Sequence, residues 1–299
     1  MSAHPTPHPG TAGGTSRRRR RGPRTWLAAL PLLLFTAICF GLPFGALAFG
    51  AVTGTDPATG ATRLTGEHLG RSLQGPYLDS LAGSVRLSAL TALIACVLGV
   101  LIAQAVVTSR SKALRDIALT ASGVLANFGG VPLAFAFIAT LGISGVVTRL
   151  GDLTSLGWDL YSFGGLATVY LYFLIPLMVL VAVPALDGLR PQWREAAANA
   201  GAGTWQFWRH IGIPVLTPTL LGGAVLLFGT AFAAHATAAA LVGGSVPLVT
   251  LKIADALSGN VLTGQENVAL ALGLDMILIA ALVMAVYLPL QRRSARWLR

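Results

Sequence analysis

The sequence predicts an all-α membrane protein with six spanning helices and both termini cytoplasmic. Three observations predict it. The chain has 299 residues, of which 54% are hydrophobic and only 11% charged, against about 25% charged in an ordinary soluble domain. Its charges are segregated: Asp, Glu, Lys and Arg are absent from 25–55, 87–109, 117–148, 160–186 and 210–251, and 267–291 holds only Asp275. A helix needs about 20 apolar residues to cross a bilayer, so each run holds one span. The remaining arginines and lysines lie mainly on one side of that threading.

Residues 1–25 are rich in Pro, Gly, His and Thr and end in an arginine run, RRRRRGPR at 17–24. They read as a disordered basic tail. The first span covers 26–50. Ala46-Leu47-Ala48 resembles a signal-peptidase site, but the apolar stretch exceeds the roughly 7–15 residues of a signal segment, so a retained helix is expected. An outside loop, 51–79, follows. The core, 80–290, carries the other five spans.

The second span covers 80–107, with Asp79 or Ser80 as its cap. The third covers 117–141 and contains Asn127, Gly129, Gly130 and Pro132. It is expected to be kinked or unwound, which a membrane permits only where the break faces protein or a polar path. The fourth covers 161–184, with Pro176 inside. The fifth is expected over 218–242, with Thr217 as N-cap and Pro218 at the first position. The sixth covers 268–290, and 291–299 forms a basic cytoplasmic tail.

Placing the N-terminus inside puts Lys/Arg at 17–24, 108–116, 185–217 and 291–299 in the cytoplasm, sixteen of the 21. Four fall outside, and Arg86 lies near the start of span two. This follows the positive-inside rule. The net charge of +10 is therefore read as topology and contact with the bilayer. No basic stripe with interleaved aromatics points to nucleic acid. Cys39 and Cys96 both fall within spans and suggest neither a disulfide nor a metal role.

The polar insert 185–217 carries the main functional signal. Pro191 suits the first position of a helix and Gly201 the residue just past its end. The resulting helix, PQWREAAANA, is too short to be stable alone and needs a surface to pack on. Ala196, Ala197 and Ala200 allow close approach. Trp205 and Trp208, three apart, share a helical face, and Pro214 is expected to break the chain before span five. An amphipathic helix resting on lipid is the bland alternative.

The insert also spells E-A-A-x3-G-x9-I-x-[LI]-P, with Glu195, Ala196, Ala197, Gly201, Ile211, Ile213 and Pro214 at the fixed positions. In this it resembles the cytoplasmic coupling loop of bacterial ABC importer permeases of the type I, MetI-like fold. The resemblance covers about 80–290. It implies an inner-membrane subunit that forms half of a pathway with a second permease, as homo- or heterodimer. It further implies two cytoplasmic ATPase subunits gripping the loop and an external substrate-binding protein delivering cargo. Residues 127–135 and 184–197 look like the branch that includes polyamine, ferric-iron, phosphonate, sulfate and thiamine importers. A small polar or charged solute is the class implied. The chain has two lysines, Lys112 and Lys252, and no Gly-Lys-Ser/Thr phosphate loop. ATP is thus expected to be bound by the partners, with no cofactor, metal or catalytic residue in this chain.

Five further residues are candidates for a polar pathway or buried polar contacts. Asp275 is costly within a membrane. It is expected to pair with Arg86 or to join an outer polar patch, with substrate contact as the alternative. His235 in mid-span five reads as helix–helix glue more readily than as a proton relay. Asn127 and Tyr170 suit a pathway or packing equally. Two other functions are weighed. Gly142-Ile143-Ser144-Gly145 with His235 faintly resembles a rhomboid intramembrane protease. An ion-coupled secondary transporter would show repeat symmetry and several intramembrane charges, and there is little of either.

Overall fold

The computed structural model describes residues 30–55, 62–258 and 266–295. The tails 1–25 and 296–299 lie outside the described residues. The chain divides into two compact units, 1–46 and 47–299. The first unit holds α1 (Leu30–Thr36), a π turn (Ala37–Gly41) and the start of α2 (Leu42–Val52). Its side chains from Leu30 to Phe44 are all exposed, as an apolar helix meant for lipid would present them.

The second unit begins with the end of α2 and an antiparallel hairpin, β1 (Thr53–Thr55) with β2 (Thr62–Leu64). Then come α3 (Glu67–Ser72), α4 (Gly75–Thr108), α5 (Lys112–Asn127), α6 (Gly130–Leu141), α7 (Val146–Leu150) and α8 (Phe163–Asp187). The insert forms α9 (Pro191–Asn199) and α10 (Thr204–Phe207). A π turn (Trp208–Gly212) leads into α11 (Ile213–Ala233), followed by α12 (Ala236–Leu241), α13 (Val249–Leu257) and α14 (Glu266–Ala295). Among the described residues six stretches are long and apolar enough to cross a membrane: Leu30–Val52, Gly75–Thr108, Gly130–Leu150, Phe163–Asp187, Thr204–Ala233 and Glu266–Arg292.

Helix α8 is the centre. Its 25 residues rise about 37 Å, enough to cross the bilayer core. It packs on α4, α5 and α11. The α4 face toward the core is a stripe of small residues at helical spacing: Ser84, Ser88, Ala92, Ala95, Gly99 and Ala103. Small side chains let backbones approach closely in lipid, where no hydrophobic effect draws helices together. At Gly99 an added Cβ would sit 2.5 Å from Met178 Cβ and 3.1 Å from the Ile175 carbonyl. The opposite face of α4 exposes Leu90, Leu93, Val97 and Leu101. Hydroxyls within the helices largely satisfy themselves on the carbonyl four residues back, as at Ser88, Thr91, Thr140 and Thr230.

Several expected boundaries move. α4 starts at Gly75 with Pro76 in its first turn, so Asp79 and Ser80 lie inside the helix. Span five begins much earlier than 218. Its helix is continuous from Thr204 to Ala233, and neither Thr217 nor Pro218 caps it. Thr217 Oγ1 instead donates to the Ile213 carbonyl (2.7 Å). Nor does Pro214 break the chain. A proline lacks the N–H for a helical bond and crowds the carbonyl four residues earlier. The wider π turn over 208–212 takes up that misfit just before it. The true break in span five comes later, at Ala234 and His235, where Ala234 turns extended (ψ 105°).

The third span is broken as expected. α5 ends at Asn127, and α6 restarts at Gly130 with φ +75°. Pro132 forces this, since a helix continued through it would clash with Phe128. The ends also sort into two sides. Arg115, near the start of α5, forms an ion pair with Asp187 at the end of α8, so both lie at the end where α9 follows. At the opposite end Trp158 Nε1 donates to the Leu141 carbonyl (3.2 Å) and Ser245 Oγ to the Tyr161 carbonyl (3.0 Å).

Candidate functional site

Two arrangements stand out: the short helix α9 at one end, and the paired helix breaks within the bundle. α9 begins with Pro191 at its first turn and no side-chain cap. It ends in a tight turn. The Gly201 amide donates to the Ala198 carbonyl and the Ala202 amide to the Ala197 carbonyl, both at 2.9 Å. These are the two crossed bonds of a Schellman motif, which requires a left-handed residue at the turn. Gly201 supplies it at φ +79°.

The next residues fold back to hold α9. Gly203 N–H donates to Gln206 Oε1 (2.8 Å), closing the start of α10. Phe207 is buried, and the Arg194 guanidinium lies 5.5 Å over its ring. Such a stacked cation adds about 0.5–1 kcal/mol at an exposed site. Phe207 in turn meets Trp208 edge-on at 5.9 Å. The two tryptophans do not act together: Trp208 packs against the core, whereas Trp205 is 71% exposed.

Clefts open on either side of Phe207. One, of about 490 Å³, is lined by Ala197, Ala200, Gly201, His210 and Ile211. The other, of about 590 Å³, is lined by Gln104, Thr108, Arg190, Arg194 and Glu195. The structure thus brings Ala197, Gly201 and Ile211 together and sets Glu195 in the neighbouring cleft. Ala196 is exposed between them, and Pro214 lies beyond both, half-buried in the helix. Exposed polar and small side chains on a short, tethered helix make a surface that another protein can grip.

The breaks lie side by side. Thr237, in the first turn of α12, accepts the Gly130 N–H at 2.9 Å and reaches the Gly130 carbonyl at 3.4 Å. Tyr170, buried on α8, donates its hydroxyl to the Ala234 carbonyl (2.8 Å). Asn127 Nδ2 turns back onto the Gly123 carbonyl (2.8 Å) at the end of α5. His235 sits at the break rather than in mid-helix, and its Nδ1 is buried without a hydrogen-bond partner.

Asp275 is buried on α14 but does not pair with Arg86. Its Oδ2 accepts from Ser72 Oγ at 2.6 Å, a contact that ties α3 to α14. Arg86 is exposed on α4, away from the small-residue stripe. Helix α3 fills the place beside Asp275 and supplies its partner. Ser72 was missed because nothing in the sequence of a 51–79 loop marks a helix packing onto the last span. Ser144 and His235 do not meet. Ser144 follows the far end of α6, while His235 lies beside its start, and twelve helical residues separate those ends by about 18 Å. No group of three His, Cys, Asp or Glu suited to a metal occurs among the described residues.

Comparison with known proteins fits this architecture. A family model described as "Binding-protein-dependent transport system inner membrane component" matches residues 95–296. The inner membrane ABC transporter permease protein YdcU of Escherichia coli (strain K12) is 31% identical over 94 residues, covering 31% of this chain and 30% of that protein. The thiamine transport system permease protein ThiP of the same organism is 28% identical over 127 residues, 42% of this chain and 24% of that one. The molybdenum transport system permease protein ModB of Azotobacter vinelandii is 24% identical over 152 residues, covering 51% and 67%. The chain spans about a quarter to a third of the length of the first two. Among solved structures, a bacterial ABC transporter involved in the import of the acidic polysaccharide alginate has the same fold. Its TM-score is 0.68 at 18% identity, over 90% of this chain and 94% of that one.

Proposed function

Because this chain belongs to the family of binding-protein-dependent transport system inner membrane components, we propose that it is the membrane subunit of an ATP-driven importer. In this reading it forms half of a translocation pathway and takes its energy from two cytoplasmic ATPase subunits. The observation that carries the reading is α9. It is a nine-residue helix that cannot stand alone, framed by Pro191 and the left-handed Gly201. It is tethered between α8 and the helix that begins at Thr204.

α9 acts as a lever. A partner seated on Glu195, Ala196 and Ala197 and in the cleft at Gly201 and Ile211 displaces it. Arg194 on Phe207 passes that displacement to α10 and α11, and the short link from Asp187 to Pro191 passes it to α8. The charge pattern supports a cytoplasmic position for α9, since 185–217 is one of the arginine-bearing loops. The opposite end, with the hairpin, α3 and α13, is then the side that receives a binding protein. The solved alginate transporter includes a form in complex with an alginate pentasaccharide-bound periplasmic protein, which supports such a partner here. A second permease subunit would cover part of the apolar surface that α4 exposes. The cargo is a small polar or charged solute. Relatives named for thiamine, sulfate and molybdenum transport support that class.

The test is ATP turnover by the reconstituted complex. A bulky or charged replacement at Gly201 leaves membrane insertion intact and uncouples uptake from ATP hydrolysis. Normal uptake in that variant overturns the assignment.

A further inference from the structure

Hydroxyls in this chain mostly bond within their own helix. Thr91, Thr108, Thr140, Thr168, Thr217 and Thr230 each donate to the carbonyl four residues back. Thr237 does otherwise. It is 3% exposed, and its Oγ1 bridges both backbone polar groups of Gly130 on another span. Gly130 needs that bridge. It opens α6 after a break, so its amide has no carbonyl of its own helix to bond, and no water is available in hydrocarbon. The approach is close enough that a Cβ on Gly130 would lie 3.9 Å from Ala236 Cβ. At the second break, Tyr170 takes the Ala234 carbonyl that the end of α11 leaves free.

We propose that Thr237 is a positioning residue that joins the two breaks into one joint. α6 and α12 move as a single body against α5 and α11, while Tyr170 holds the fixed side of the joint to α8. The backbone supplies the hinges. Phe128 to Gly130 and Ala234 carry non-helical dihedrals, and no helical bond crosses either point. Since α8 runs into the link before α9, one hydrogen bond and about 26 Å of helix connect the joint to the lever. That placement in transport rests on the proposed function; the joint itself does not, and is measured on the chain alone.

The experiment uses the full chain in lipid nanodiscs, with Cys39→Ser and Cys96→Ala replacing the native thiols. Nitroxides are placed at exposed positions through Phe135→Cys with Ala239→Cys, and in a second sample through Val124→Cys with Phe135→Cys. Pulsed electron–electron resonance then gives two distance distributions. The α6–α12 pair should be narrow and the α5–α6 pair at least twofold broader. Thr237→Val should broaden the first to the width of the second, and Thr237→Ser, which keeps the hydroxyl, should restore it. Equal widths in the unsubstituted chain overturn the proposal, and that comparison needs no Thr237 variant to fold. A width unchanged by Thr237→Val also overturns it. A chain that shows the joint yet binds no ATPase removes the proposed function and leaves the joint standing.

Discussion

Gly201 closes the helix that the proposed mechanism uses as its lever. Its φ is +79°, and a Cβ built on it meets nothing within 4 Å. Substitution there is therefore a backbone question with no steric part. A left-handed conformation costs a residue with a Cβ about 1–2 kcal/mol. Replacement by alanine should weaken the two turn bonds from Gly201 and Ala202 by that amount. At about 1.4 kcal/mol per tenfold, local opening of α9 rises roughly 5- to 30-fold. Asparagine, which tolerates this region, should lose much less. Hydrogen exchange on the full chain in nanodiscs reads this directly. The amides of 195–202 should exchange faster in Gly201→Ala, with those of α8 unchanged. Met, unbranched at Cβ, should match Ala, because the surrounding space is open. Exchange that is unaffected by Ala, or a Met variant far worse than Ala, would refute the reasoning.

Three other outcomes follow from contacts in the bundle. Gly99→Leu forces α4 away from Met178 and should cost about 1–3 kcal/mol as overpacking; thermal unfolding in detergent checks it, with Gly123→Leu, where nothing lies within 4 Å, as the neutral control. Tyr170→Phe leaves the Ala234 carbonyl unpaired and should lower stability by about 1–3 kcal/mol, read by the same unfolding assay. Ser72→Ala removes the partner of Asp275. Protease cleavage within the hairpin and α3 should accelerate in that variant, and Arg86→Gln should have no such effect.

The spans were legible because charge is excluded from lipid, and the short helix at 191–199 because proline and glycine mark helix ends by their backbone chemistry. The break at Gly130 was legible for the same reason, through Pro132. The break at Ala234 was not. The surrounding residues, AAHAT, contain no breaker, and the structure shows a tertiary cause in Tyr170 and Thr237. Pro214 misled in the opposite direction: its effect is local, and a π turn absorbs it. Thr217-Pro218 has the spelling of a helix start, yet upstream residues continue the helix through it. Asp275 was recognised as unusual, but its partner comes from a six-residue helix, α3, too short to leave a periodic signature. Ile211 and Gly201 were singled out from the spacing of the motif, and only the fold shows that they line one cleft.

In the proposed function α9 is the docking point for an ATPase. The direct measurement is a site-specific cross-link from Ala200→Cys, exposed in that turn, in the full chain within its native membrane. Mass spectrometry then identifies the joined peptide. The expected partner is a polypeptide carrying a G-x-x-x-x-G-K-[ST] phosphate loop, with the yield falling in Gly201→Trp. Reaction of that cysteine with a membrane-impermeant reagent from the external side, with no ATPase joined, would contradict it.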